Sequence, residues 1–87
     1  MQSSIRQELY DYIEENFLYL RPGLELRDDD RFLELGVIDS TGVVELVTEV
    51  EDRYGIVVED VEITEENFGS LAGLVRYVEA KREGAPA

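Results

Sequence analysis

Neither cysteine nor histidine occurs anywhere in the 87 residues. The first absence removes disulfides and thiolate metal sites, so packing and helix capping must supply the stability of the domain. The second removes the commonest general base, and the two together remove the strongest side-chain nucleophile and the usual zinc ligands. An independent enzyme is therefore not expected, and any reactive thiol must arrive on a cofactor. Bases are scarce as well: 8 stand against 21 acids, for a formal net charge of −13, beyond the magnitude of about 2 to 8 usual for a small domain. Direct binding to nucleic acid or to an anionic membrane is disfavoured. Met1 to Glu8 has no apolar signal core, and no run approaches the roughly 18 apolar residues of a membrane span. The expectation is a cytoplasmic protein without membrane insertion.

What is present is enough to fold. Hydrophobic residues make up 44% of the chain and recur with clear periodicity, which argues against an acidic disordered tail. A chain of this length makes one domain, 1–87, burying about 60 to 70% of its unfolded surface. Its ordered core should run over about 4–82, with 83–87 a frayed tail.

The periodicity predicts four helices. Ser4 with Gln7 reads as a capping box opening a first helix, whose stripe is Ile5, Leu9, Ile13 and Phe17, with Tyr12 and Leu20 beside it. It should end near Tyr19 to Arg21, because Pro22 disfavours helical geometry before it and Gly23 follows. The long connection to Ile38 carries Leu24, Leu26, Phe32, Leu33, Leu35, Val37 and Ile38 as anchors. Its Asp28-Asp29-Asp30 run does not read as a calcium loop, since the register puts Leu33 where glycine is required. A solvated turn that caps a short helical turn at Arg31 to Leu35 is preferred.

A second helix spans about Ser40 to Tyr54, with Asp39 as N-cap and Gly55 at the C′ position. At 100° per residue, Val43, Leu46, Val47, Val50 and Tyr54 share one face, while Glu45, Glu49 and Asp52 cluster on the other. Ile56-Val57-Val58 reads as a buried connector. Thr64 caps a short third helix that points Phe68 inward, and Ser70 caps a fourth with Leu71, Leu74, Val75 and Val78 as its stripe. The fold class is all-α: a four-helix up-and-down bundle, three helices longer and the third short, with a long first loop.

Ser40 is the residue with something left over. Because Asp39 already caps the second helix, the Ser40 hydroxyl is not needed for capping and can project outward. A helix N-terminus also favours an anionic group, such as a phosphodiester, esterified there. Ser40 lies on a line with Val44, Val47 and Glu51, between the core face and the acidic face. Val44 either centres a docking patch or packs against a neighbouring helix.

Gly36-x-x-Asp39-Ser40 resembles the modification site of acyl carrier proteins, and the resemblance runs from about Ile5 to Lys81. It implies 4′-phosphopantetheine, donated by coenzyme A, on Ser40, with Asp39 aiding recognition. It also implies a role as a carrier of acyl or aminoacyl groups, held as thioesters, in a specialised biosynthetic pathway. The implied partners are a phosphopantetheinyl transferase, an acyl- or aminoacyl-adenylating ligase or an acyltransferase, and a downstream transferase or synthase. They would meet a surface of Glu45, Glu49, Glu51, Asp52, Val44 and Thr41, the carrier itself being a monomer. Thr41, Gly42 and Thr48 depart from the fatty-acid type. Ser40-x-Gly42-x-Val44-Glu45-Leu46 and Glu66-Asn67-Phe68-x-Ser70 look more like freestanding D-alanyl or aminoacyl carriers. The alternatives are a housekeeping fatty-acid carrier and, in another class, an unmodified acidic module that binds a basic partner surface. A hydrolase using Ser40 would lack a histidine base.

Overall fold

The computed structural model describes residues 4–19, 21 and 23–83, so the expectations placed on Leu20, Pro22 and the tail beyond Glu83 lie outside the described residues. The elements are α1 (Ile5–Phe17), α2 (Phe32–Leu35), α3 (Ser40–Tyr54), a 3₁₀ turn (Asp60–Glu62), α4 (Glu65–Phe68) and α5 (Leu71–Glu83). Among the described residues there is no strand. The all-α carrier-like bundle therefore stands, with α1, α3 and α5 as its long members and α4 as the short one. The helical turn expected in the long loop is α2.

Local chemistry sets most of the boundaries. Ser4 Oγ accepts the Gln7 N–H at 3.0 Å, but the reciprocal half of the expected box is missing, because the Gln7 amide donates to Asp11 Oδ1 instead. α1 closes earlier than expected, at Phe17. The buried Leu18 turns into the core, and its N–H donates to the carbonyls of Ile13 and Glu14. Gly55 ends α3 at φ 67°, a left-handed conformation that glycine adopts without a Cβ penalty. Thr64 caps α4 through the Asn67 N–H, and Ser70 accepts the Gly73 N–H at 3.2 Å.

The core gathers Leu9 and Ile13 of α1, Leu46 and Val50 of α3, and Leu71, Leu74, Tyr77 and Val78 of α5 around Phe32, Ile38 and Phe68. Each fully buried leucine of this set stabilises the fold by about 2–5 kcal/mol relative to alanine. The long loop is pinned rather than loose. Leu26, Phe32, Val37 and Ile38 are buried, the Phe32 N–H donates to Gly69 O, and the Ala72 N–H donates to Asp28 O, both at 2.8 Å. Two apolar expectations reverse: Leu33 faces solvent, and so does Val57, so the Ile56–Val58 connector is only half-buried. Among the described residues no helix covers either position. Nor does the aspartate run cap α2. Asp28 pairs with Arg6, and Asp30 accepts the Arg27 N–H.

Candidate functional site at the start of α3

Two buried residues, Val37 and Ile38, fix the chain immediately before α3. Asp39 then leaves helical geometry, and its carboxylate accepts the Gly42 N–H at 2.8 Å. Capping falls to Asp39, as expected. Ser40 follows as the first helical residue, exposed, with Thr41 exposed beside it. Its hydroxyl stands at the positive end of a 15-residue helix, where unpaired backbone N–H groups favour an attached anion.

In the sequence Gly42 stands out as a departure from the fatty-acid pattern and as part of the D-alanyl-like one, and the structure gives it a packing reason. A Cβ there would come within 2.7 Å of Ile38 Cγ2 and 2.9 Å of the Phe17 ring. Only a hydrogen at this position leaves the Phe17 ring and the Ile38 side chain room against the first turn of α3. A signal exists for it, since a glycine inside a helix costs about 1 kcal/mol relative to alanine and so points to close packing.

The surface below Ser40 is partly as expected. Val44 is 65% exposed, which decides against packing on a neighbouring helix and leaves an apolar residue open to solvent one turn from the serine. Thr48 donates its hydroxyl to the Val44 carbonyl at 3.2 Å. Glu45 and Asp52 are exposed. Glu49 is half-buried and pairs with Arg53 at 2.6 Å, so its charge is largely answered within the helix. Glu51 acts internally. Its Oε2 accepts the Val58 N–H at 2.9 Å and ties α3 to the chain beyond Gly55. Of the four acids, Glu45 and Asp52 are thus the ones turned outward.

The acidic field reaches α1. Burial first, then Glu49 and Glu45, push the Tyr12 hydroxyl above its ordinary value. A groove of about 520 Å³ between α1 and α3, walled by Glu8, Asp11, Glu14 and Arg53, belongs to this field and does not include Ser40. A second groove, of about 380 Å³, passes beside the serine and is lined by Asp39, Thr41 and Glu45 from α3 and its cap. Arg21, which no pattern in the sequence singles out, also lines it. Its Nη1 donates to Leu35 O at 2.6 Å. Among the described residues no group of His, Cys, Asp or Glu side chains is arranged to hold a metal ion, and no helix is long and apolar enough to cross a membrane.

A protein-family model described as "Phosphopantetheine attachment site" matches residues 7–78. A D-alanyl carrier protein of Streptococcus suis (strain 05ZYH33) is 32% identical over 80 residues, covering 87% of this chain and 98% of its own. A D-alanyl carrier protein of Streptococcus sanguinis (strain SK36) is 34% identical over 74 residues, covering 85% of this chain and 90% of its own. Among the readings the sequence leaves open, these matches favour the carrier over the unmodified acidic module. The chain belongs to the phosphopantetheine-bearing acyl carrier family, of the D-alanyl carrier type, and carries an acyl or aminoacyl group on a 4′-phosphopantetheine prosthetic group in a specialised pathway.

Proposed function

We propose that Ser40 is the attachment residue and that the cargo is a small aminoacyl group, D-alanine being the first candidate. The observation that carries the reading is the division of labour at the start of α3. Asp39 holds the Gly42 N–H, so the exposed Ser40 hydroxyl has no capping duty. The residues present fit a phosphopantetheine group: an exposed hydroxyl to esterify, helix N–H groups to favour its phosphate, and an open groove alongside. When bound, that group supplies a terminal thiol on which an acyl or aminoacyl unit is held as a thioester. The cargo assignment draws on the names of the D-alanyl carrier relatives.

The chain's own contribution is recognition, without catalysis. Asp39 fixes the first turn, so that the serine is presented in one orientation to a phosphopantetheinyl transferase. Glu45 and Asp52 offer charge to basic partner surfaces and raise encounter rates, with Val44 and Thr41 as the apolar and small neutral parts of the same surface. Glu49 and Glu51 support that surface from behind. An aminoacyl-adenylating ligase and a downstream transferase would use it in turn, in the cytoplasm, with the carrier a monomer.

Incubation with coenzyme A and a broad-specificity phosphopantetheinyl transferase adds one phosphopantetheine by intact mass, and Ser40→Ala abolishes the addition. Addition to the Ser40→Ala protein would move the site elsewhere. Loading the modified protein with ATP, a D-alanine-activating ligase and D-alanine, against a panel of other amino acids and short fatty acids, tests the cargo. Preference for a fatty acid would overturn the aminoacyl assignment.

A further inference from the structure

The groove beside Ser40 joins the C-terminal end of α1 to the start of α3. Asn16, Phe17 and Tyr19 line it together with Asp39, Thr41 and Glu45. Arg21 is the one cation among the described residues that line it. Of the eight bases, Arg6, Arg31, Arg53 and Lys81 each pair with a carboxylate. Arg21 does not, among the described residues. It is held instead by a neutral acceptor, Leu35 O, which uses one of five guanidinium N–H donors. The nearest acid of the groove by sequence, Asp39, has its carboxylate turned to the Gly42 N–H.

Gly36 lies beside the Arg21 guanidinium. A Cβ there would sit 3.5 Å from Arg21 Nη1, and φ of 70° is a conformation that side chains disfavour. Arg21 is a cation with donors to spare, lining the same groove as the residues on either side of Ser40. The complementary ligand is a singly charged phosphodiester, which guanidinium recognises in a planar, two-pronged manner.

We infer that Arg21 clamps the phosphate of the prosthetic arm on Ser40 and thereby lays the arm in the groove against α1, away from the exposed Val57 and Val61 of the α3–α4 connection. The inference rests on Ser40 being the attachment residue. It adds the binding partner of the phosphate and the direction in which the arm leaves the helix.

The test compares apo and modified protein, labelled with nitrogen-15, for wild type, Arg21→Gln and Arg21→Lys. In the modified wild type, the Arg21 Nε–H resonance and the Asn16 and Tyr19 amides shift relative to apo, and the phosphorus-31 resonance sits at a position set by the clamp. In Arg21→Gln the phosphorus resonance moves toward that of a free phosphodiester in water, and the Asn16 and Tyr19 shifts are lost. Arg21→Lys falls between the two. The apo spectra of both variants control for the Leu35 contact. If wild type gains no arm by intact mass, the attachment reading and this inference fall together. If the arm is gained but Arg21, Asn16 and Tyr19 do not respond, or if the connection around Val57 and Val61 responds instead, only this inference falls.

Discussion

Tyr54 donates its hydroxyl to Glu8 Oε1 across 2.8 Å, joining the last residue of α3 to the first turn of α1. The contact closes the end of the bundle remote from Ser40. Burial first, and then Glu8, raise the Tyr54 hydroxyl well above its ordinary value, which favours the protonated phenol as donor. Hydrogen bonds to charged acceptors contribute about 1.5–3 kcal/mol when shielded and less when water can compete. For this half-buried pair, Tyr54→Phe should lower stability by about 1–2 kcal/mol in urea melts. Glu8→Gln, which keeps an acceptor, should cost less. Equal stability of Tyr54→Phe and wild type would show that the bond is replaced by water at no cost.

Gly42→Ala sets two effects against each other. Alanine gains about 1 kcal/mol in helix propensity, but its methyl would press on a buried β-branched side chain, Ile38, and on the Phe17 ring. Overpacking of this kind costs about 1–3 kcal/mol. The net expectation is a lower melting temperature and displaced aromatic resonances of Phe17. A variant more stable than wild type would mean that α1 gives way easily at this point.

Acid should loosen the 3₁₀ turn. Glu62 accepts the Glu59 N–H, the Tyr77 hydroxyl and the Lys81 ammonium group, and these hold its carboxyl below the ordinary value, the backbone bond foremost. The native carboxyl takes up its proton at lower pH than the unfolded chain does. Its stabilisation is therefore complete above the unfolded carboxylate range and is lost as pH falls through the native value. The difference in stability between wild type and Glu62→Gln should be greatest near neutrality and close below about pH 4. Relief of repulsion among the other acids occurs in both proteins and cancels in that difference. A gap that stays constant down to about pH 3, below the ordinary carboxylate range, would assign the effect to shape rather than charge.

Glu45 and Glu51 should separate recognition from stability. Glu45→Gln is expected to stay within about 0.5 kcal/mol of wild type, while slowing modification by the transferase, with the effect fading as salt is raised. Glu51→Gln keeps the rate of modification but weakens the tie to Val58 and lowers stability by about 1 kcal/mol. The reverse pattern would return Glu51 to the partner surface.

The parts of this fold that sequence makes legible are those governed by neighbours in the chain. Asp39, Gly55, Thr64 and Ser70 each act within a few residues, and their caps set α3, α4 and the start of α5. Leu46, Val50, Leu74 and Val78 declare themselves by spacing alone. The rest depends on residues far away in sequence. Val44 and Leu33 are as apolar as their buried neighbours, and only the absence of a covering helix leaves them exposed. Glu51 sits on the same helix as Glu45, yet a loop amide arriving after Gly55 takes its carboxylate inward. Arg21 gains meaning only when the end of α1, α2 and the start of α3 come together near Ser40, a meeting that no local pattern encodes.

The two backbone bonds that pin the long loop, Phe32 to Gly69 and Ala72 to Asp28, carry a consequence for the order in which the molecule assembles. Both wait on the α4–α5 corner, and α5 supplies four side chains to the centre of the core. Contacts between distant parts of a chain form after local ones. During synthesis, α3 and its serine leave the ribosome while the loop that leads into them is still unpinned. A modifying enzyme that reads the finished surface, rather than the Asp-Ser pair alone, would therefore act on the released protein and pass over the nascent one.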